Sequence, residues 1–102
     1  MRPQAQQIVD EMDPEPTARP YSNLKFRLPD GTRFGRKFTK TTTLAQLRAY
    51  VAVELGKRES PILRFHMFLA SKRRTFTEDD NDETLAAVGL SADVLLIQDL
   101  DV

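Results

Sequence analysis

Between residues 22 and 39 apolar and polar side chains alternate on both sides of a four-residue turn, and few folds accommodate that pattern. Leu24, Phe26 and Leu28 are separated by Lys25 and Arg27, the period of a strand with one buried face. Pro29-Asp30-Gly31-Thr32 follows; proline presets φ and glycine supplies a positive φ, so the chain reverses there. Beyond the turn, Phe34 and Phe38 fall on one face of a second strand over residues 32–39. Two strands joined by a tight turn make a hairpin, and its apolar face needs a cover.

The cover comes next in the chain. Thr43 and Gln46 have the spacing of a capping box, which satisfies the free N–H groups at a helix start. Leu44, Leu47, Val51 and Leu55 then recur at helical spacing, the stripe of an amphipathic helix. Gly56 stands where a left-handed cap is expected, and Pro61 blocks continuation. Residues 62–69 read as a third strand with Phe65 and Met67 inward, and Phe76 marks a short fourth. Thr84 to Leu90 reads as a short helical turn ended by Gly89, and the apolar run 94–97 as a strand central to a sheet. The expected architecture is α+β, a mixed sheet with one main helix, and Leu24, Phe26, Phe34, Phe38, Leu47, Val51, Phe65 and Leu96 are expected to share its core.

Residues 1–20 differ in kind, with few sizeable apolar groups and prolines at 3, 14, 16 and 20. They are expected to form a flexible, Pro-rich acidic linker, with any helix limited to about two turns. The folded domain is expected over residues 21–102, as a domain of a longer protein and a monomer on its own. The 102 residues hold 15 basic and 15 acidic side chains, which argues against a bulk polyanion binder such as a nucleic-acid protein. Without cysteine there are no disulfides and no thiolate chemistry, which fits a cytoplasmic or nuclear protein. No apolar run approaches the roughly 20 residues that cross a bilayer, so no membrane role is expected.

With these elements in order, the sequence resembles the UBX domains. The segment from Leu24 through Arg27, Pro29 and Gly31 to Phe34 resembles the opening hairpin of that family. Phe65 to Phe76, Thr84-Leu85 to Gly89-Leu90 and the last apolar strand resemble its second half. The resemblance implies a ubiquitin-like β-grasp with a five-stranded sheet in the order 2-1-5-3-4. It also implies a protein-interaction adaptor that binds the N-terminal domain of the hexameric AAA ATPase called valosin-containing protein, in ubiquitin-dependent protein handling.

The family's contacts are an arginine on the first strand and a Phe-Pro-Arg loop between strands three and four. Arg27 matches the first, and Arg73 matches the loop arginine when Phe65 and Phe76 are aligned without a gap. Ser71 and Lys72 then occupy the phenylalanine and proline positions, removing the apolar anchor and the preorganised turn. Lys25 and Arg74 extend the set of candidate partner-binding residues. The alternative is a divergent ubiquitin-like domain that has lost the ATPase and binds within its own protein or to another.

No other residue cluster supports chemistry. His66 is the one histidine, and with no cysteine it reads as a surface strand residue rather than a metal ligand. The acidic run 78–83 fails as a calcium loop, because Thr84 and Leu90 replace the required glycine and glutamate. No serine sits in a nucleophile elbow and no glycine-rich phosphate cradle is present, so no enzyme activity and no cofactor is expected.

Overall fold

The computed structural model describes residues 4–12, 14–57, 62 and 64–100. Its first helix, α1 (Gln4–Glu11), precedes the hairpin of β1 (Ser22–Arg27) and β2 (Arg33–Phe38). Helix α2 (Leu44–Gly56), β3 (Phe65–Leu69), β4 (Arg74–Phe76), α3 (Leu85–Val88) and β5 (Val94–Asp99) follow. The five strands form one sheet in the order β2-β1-β5-β3-β4. β1 and β5 run parallel at its centre, and the other pairs are antiparallel. This is the β-grasp arrangement that the resemblance implies.

The hairpin forms as its alternation requires. Leu24 and Phe26 are fully buried, while Lys25 and Arg27 are exposed. Pro29 and Gly31 close the turn, with Gly31 at φ 91° and its N–H donating to the Leu28 carbonyl. Phe26 stacks on Phe34 at 5.1 Å between ring centroids, and Tyr50 of α2 meets both rings. Ser22 also faces inward, where its hydroxyl donates to the Leu90 carbonyl at 2.7 Å.

Both halves of the capping box of α2 are present. Gln46 N–H donates to Thr43 Oγ1, and Thr43 N–H donates to Gln46 Oε1. Leu44, Leu47, Val51 and Leu55 are fully buried against the sheet. The end of α2 departs from expectation. Gly56 belongs to the helix, and Lys57 caps it in a right-handed conformation by donating its N–H to the carbonyls of Glu54 and Leu55. A tightened last turn thus satisfies the carbonyls without a left-handed glycine. Pro61 lies outside the described residues.

β5 corrects a second expectation. Leu95 and Ile97 are buried, whereas Leu96 faces the opposite side of the sheet, half-buried, and Val94 is 50% exposed. A continuous apolar run carries no parity of its own. The register with β1 and β3 sets it, pairing Leu96 with the outward Arg27 and Phe68.

Where a flexible linker is expected, α1 lies against α2, and Met12 packs on the core. Its length of 8 residues agrees with the limit set by the prolines. Farther along, the Glu15 carboxylate accepts the N–H of Lys37 on edge strand β2 at 3.0 Å, occupying part of an otherwise open edge.

Candidate functional site

The sheet has one covered face and one open face. Outward positions on the open side are Asn23, Lys25 and Arg27 of β1, Arg33, Gly35 and Lys37 of β2, Val94, Leu96 and Gln98 of β5, His66 and Phe68 of β3, and Thr75 of β4. Four of these are cations, Lys25, Arg27, Arg33 and Lys37, and none is an acid. A chain of zero formal charge therefore presents a basic face, with Val94, Leu96 and Phe68 forming an apolar strip beside the cations. Gly35 is required beneath Lys25, because a methyl group there would fall 2.8 Å from the Leu24 carbonyl oxygen.

The β3–β4 loop turns through a short 3-10 helix, Ala70–Lys72, and then through Arg73 in the left-handed region at φ 50°. Ser71, Lys72, Arg73 and Arg74 are all exposed, but they are used differently. Lys72 reaches the C-terminal cap of α3; a methyl on Gly89 would meet its Nζ at 2.8 Å. An ammonium there complements the helix C-terminus. Arg74 pairs with Asp80 at 3.1 Å and covers the Phe76 ring at 4.8 Å. Arg73 makes neither kind of contact with another described residue. Of the six candidates, Lys25 and Arg27 thus share the open face and Ser71 and Arg73 stand at the loop, while Lys72 and Arg74 are drawn back onto the domain.

Arg73 holds a backbone conformation that costs a non-glycine residue about 1–2 kcal/mol. Arg73→Gly should therefore stabilise the domain by about 0.5 kcal/mol, after glycine's larger entropy loss is counted. Arg73→Ala keeps the strain and should gain nothing. Urea unfolding of both variants checks this; equal stability would remove the strain argument.

Asp80 organises the acidic run. Its carboxylate accepts the N–H of Thr77 at 3.0 Å, closing a capping box on the second 3-10 helix, Glu78–Asp80, and it pairs with Arg74. The Thr77 hydrogen bond and then the Arg74 guanidinium hold its pKa below the usual carboxylate value, outweighing the opposing effect of desolvation. A depressed folded-state pKa contributes stability above the unfolded value, and that contribution is lost as pH falls through the folded one. Asp80→Asn keeps an oxygen for the Thr77 N–H and loses only the charge, so it should cost about 0.5 kcal/mol near neutral pH. The difference from wild type should close below about pH 4, as measured by urea unfolding across the range.

Sequence reasoning missed two features here. Leu96 was assigned inward, which hid the apolar strip. Arg48, outside the helical stripe, carries no signal in the sequence. It is half-buried, donates through Nη2 to the Phe76 carbonyl, and has its Nε enclosed with no hydrogen-bond partner. Burial lowers its pKa, against the pull of Glu78 and Asp80.

The five-stranded sheet in the order β2-β1-β5-β3-β4, covered on one face by α2, is a ubiquitin-like fold. Two solved structures share the fold. A solution structure of a UBX domain matches 86% of this chain and 79% of its own length at TM-score 0.68 and 21% identity. A ubiquitin-like domain from Arabidopsis thaliana matches 79% of each chain at TM-score 0.58 and 15% identity. The family model of the UBX domain matches residues 16–99. UBX domain-containing protein 1 of Bos taurus is 35% identical over 88 residues, covering 80% of this chain and 29% of the relative. UBX domain-containing protein 1-B of Xenopus laevis is 33% identical over 84 residues, covering 80% and 28%. The chain belongs to the UBX domain family, and it spans less than a third of the length of these relatives. Domains of this fold are typically interaction modules rather than catalysts.

Proposed function

We propose that this domain is an adaptor that binds the N-terminal domain of a valosin-containing-protein-type AAA ATPase in ubiquitin-dependent protein handling, in the cytoplasm or nucleus. One observation carries the reading: Arg27, the match to the family's first-strand arginine, stands exposed on a basic sheet face with no ion-pair partner among the described residues. A guanidinium placed so is available for a charge-assisted hydrogen bond to a partner carboxylate or carbonyl. Arg73 supplies a second donor at the loop. Ser71 and Lys72 supply no apolar anchor, so the affinity should be modest and set largely by electrostatic steering.

Calorimetric titration of the 102-residue chain with the isolated ATPase N-domain tests the reading. Saturable binding that weakens on Arg27→Ala supports it. Absence of binding favours the second reading, a divergent ubiquitin-like domain with another protein partner, which the retraction of Lys72 toward Gly89 would suit. A phosphate-binding face would instead retain nucleic acid and release it steeply with salt.

A further inference from the structure

The backbone of β2 has a definite outward side. Asn23 and Lys25 of β1 turn their N–H groups to the Ser91 and Asp93 carbonyls, on the β5 side. Leu24 and Phe26 therefore turn theirs to β2, where Arg36 and Phe34 stand opposite them. Arg33, Gly35 and Lys37 alternate with those two partners, so their N–H and C=O groups point away from the sheet. β2 is the outermost strand on this side, and its six residues are a template for a further strand.

One group of this chain already uses that template. The Glu15 carboxylate accepts the Lys37 N–H at 3.0 Å, a carboxylate oxygen standing where a further strand would bring a backbone carbonyl. Among the described residues, no backbone group continues this contact toward Gly35 and Arg33. Glu15 lies in a groove of about 470 Å³ whose walls include Lys25, Arg33, Gly35 and Lys37. The stem of Lys25 leans over Gly35, its Cγ 3.2 Å from where a methyl on that glycine would stand. Three cations thus share the open side of the edge with Glu15, the one acid among the described residues that line the groove. On the inner side of β2, the half-buried Phe34 ring lies 6.1 Å from that of Tyr50. The edge is basic on one side and aromatic on the other.

We infer that the β2 edge binds an extended segment of a partner protein in which acidic and apolar residues alternate, and that Glu15 is the resident anion such a segment displaces. The period of two follows from the pleat. Residues opposite Arg33, Gly35 and Lys37 send their side chains to the open side, where carboxylates meet the three cations. The residue opposite Phe34 sends its side chain inward, against Phe34 and Tyr50. The residue opposite Gly35 exchanges two backbone hydrogen bonds with it, directly beneath Lys25. Main-chain bonds hold the segment, and its alternate side chains select it. A second copy of this chain suits the edge poorly, because its own β2 would bring arginine and lysine against the same cations. β2 and the β3–β4 loop lie at opposite edges of the sheet. This surface uses neither Arg27 nor Arg73, and so goes beyond the proposed function.

The test is an NMR titration of the 102-residue chain with the blocked peptide acetyl-Glu-Val-Glu-Val-Glu-amide. Control peptides carry Gln for every Glu, Ser for both Val, or Pro for the central Glu, which removes the N–H that faces Gly35. Saturable shifts at the amides of Arg33, Gly35 and Lys37 are expected, with affinity at least about fivefold lower for each control. Lys37→Ala should weaken binding at least about threefold, and Glu15→Ala should strengthen it by about as much, because the competing anion is gone. Arg73→Ala should leave it within about twofold. No saturation below about 10 mM peptide, shifts centred on residues 70–74, or a Glu15→Ala variant that binds no better than wild type would overturn the inference. Should Lys37→Ala disturb the chain through its contact with Tyr21, Arg33→Ala at an exposed position takes its place. Shifts along β2 that appear on concentrating the chain without peptide would assign the edge to a second copy and overturn the partner.

Discussion

Phe26→Ala should destabilise the domain by about 4 kcal/mol, the largest single-residue effect expected anywhere in the chain. The ring is fully buried, stacks on Phe34 and meets Tyr50, so it joins both strands of the hairpin to α2 through aromatic contact. Its loss combines the transfer of a large apolar group, a cavity that the flanking strands cannot close, and the aromatic pair energy. A domain of this size has a total stability of about 4–12 kcal/mol, so the variant should unfold partly at 37 °C and lose roughly 15–30 °C in Tm. Lys25→Ala, one residue away on the open face, should change stability by less than about 0.5 kcal/mol. Calorimetry or urea unfolding of the pair decides it. A loss below about 1.5 kcal/mol would mean that the core does not depend on this contact.

Restoring the family's loop should raise affinity for the ATPase N-domain at least tenfold, about 1.4 kcal/mol. Ser71→Phe adds an anchor that is usually worth a few kcal/mol when buried at an interface. Lys72→Pro preorganises the turn, but it also releases the ammonium from Gly89 and restricts residue 71, which now sits in a 3-10 helix. The net gain is therefore smaller than the anchor alone would give. Arg27→Ala in the doubly substituted background should remove most of it, since the anchor and the strand arginine must engage together. Titration of the wild type, the double variant and the triple variant at one salt concentration is the measurement. A double variant that binds no better than wild type would show that the loop does not enter this partner's pocket.

The hairpin, the capping box of α2 and the Gly89 stop of α3 were legible because each rests on chemistry within four or so residues. Alternation fixes a strand's face, Thr43 and Gln46 satisfy one helix end, and Gly89 adopts φ 75° where a side chain would resist. The sheet order was not readable from period or spacing and came from the resemblance alone. Leu96 was misplaced because four apolar residues in a row leave the facing of a strand to its neighbours. Gly56 was misread because a backbone N–H from Lys57 can close a helix as well as a left-handed glycine can. α1 is amphipathic, but it is only 8 residues long and set among prolines, and a helix that short depends on α2 to hold it. Within the site, strand parity gave the outward facing of Arg27 and Lys25, while the choice of Arg27 came from the resemblance. The directions of Lys72 and Arg74 did not, because they depend on the left-handed turn at Arg73 and on Asp80, both set by the folded loop.

The parallel pairing of β1 with β5 also governs how the domain bears load. The first and last strands of the fold lie side by side and point the same way, joined by a ladder that runs from Asn23 and Ser91 to Arg27 and Leu96. Tension between one end of β1 and the opposite end of β5 acts along the strands, nearly at right angles to those hydrogen bonds, and strains them together rather than one after another. Rupture then requires several bonds and the Leu95 and Ile97 packing to fail in a single event, which sets a high barrier to forced unfolding. A domain built this way can transmit a pull between those two strand ends without being unravelled by it.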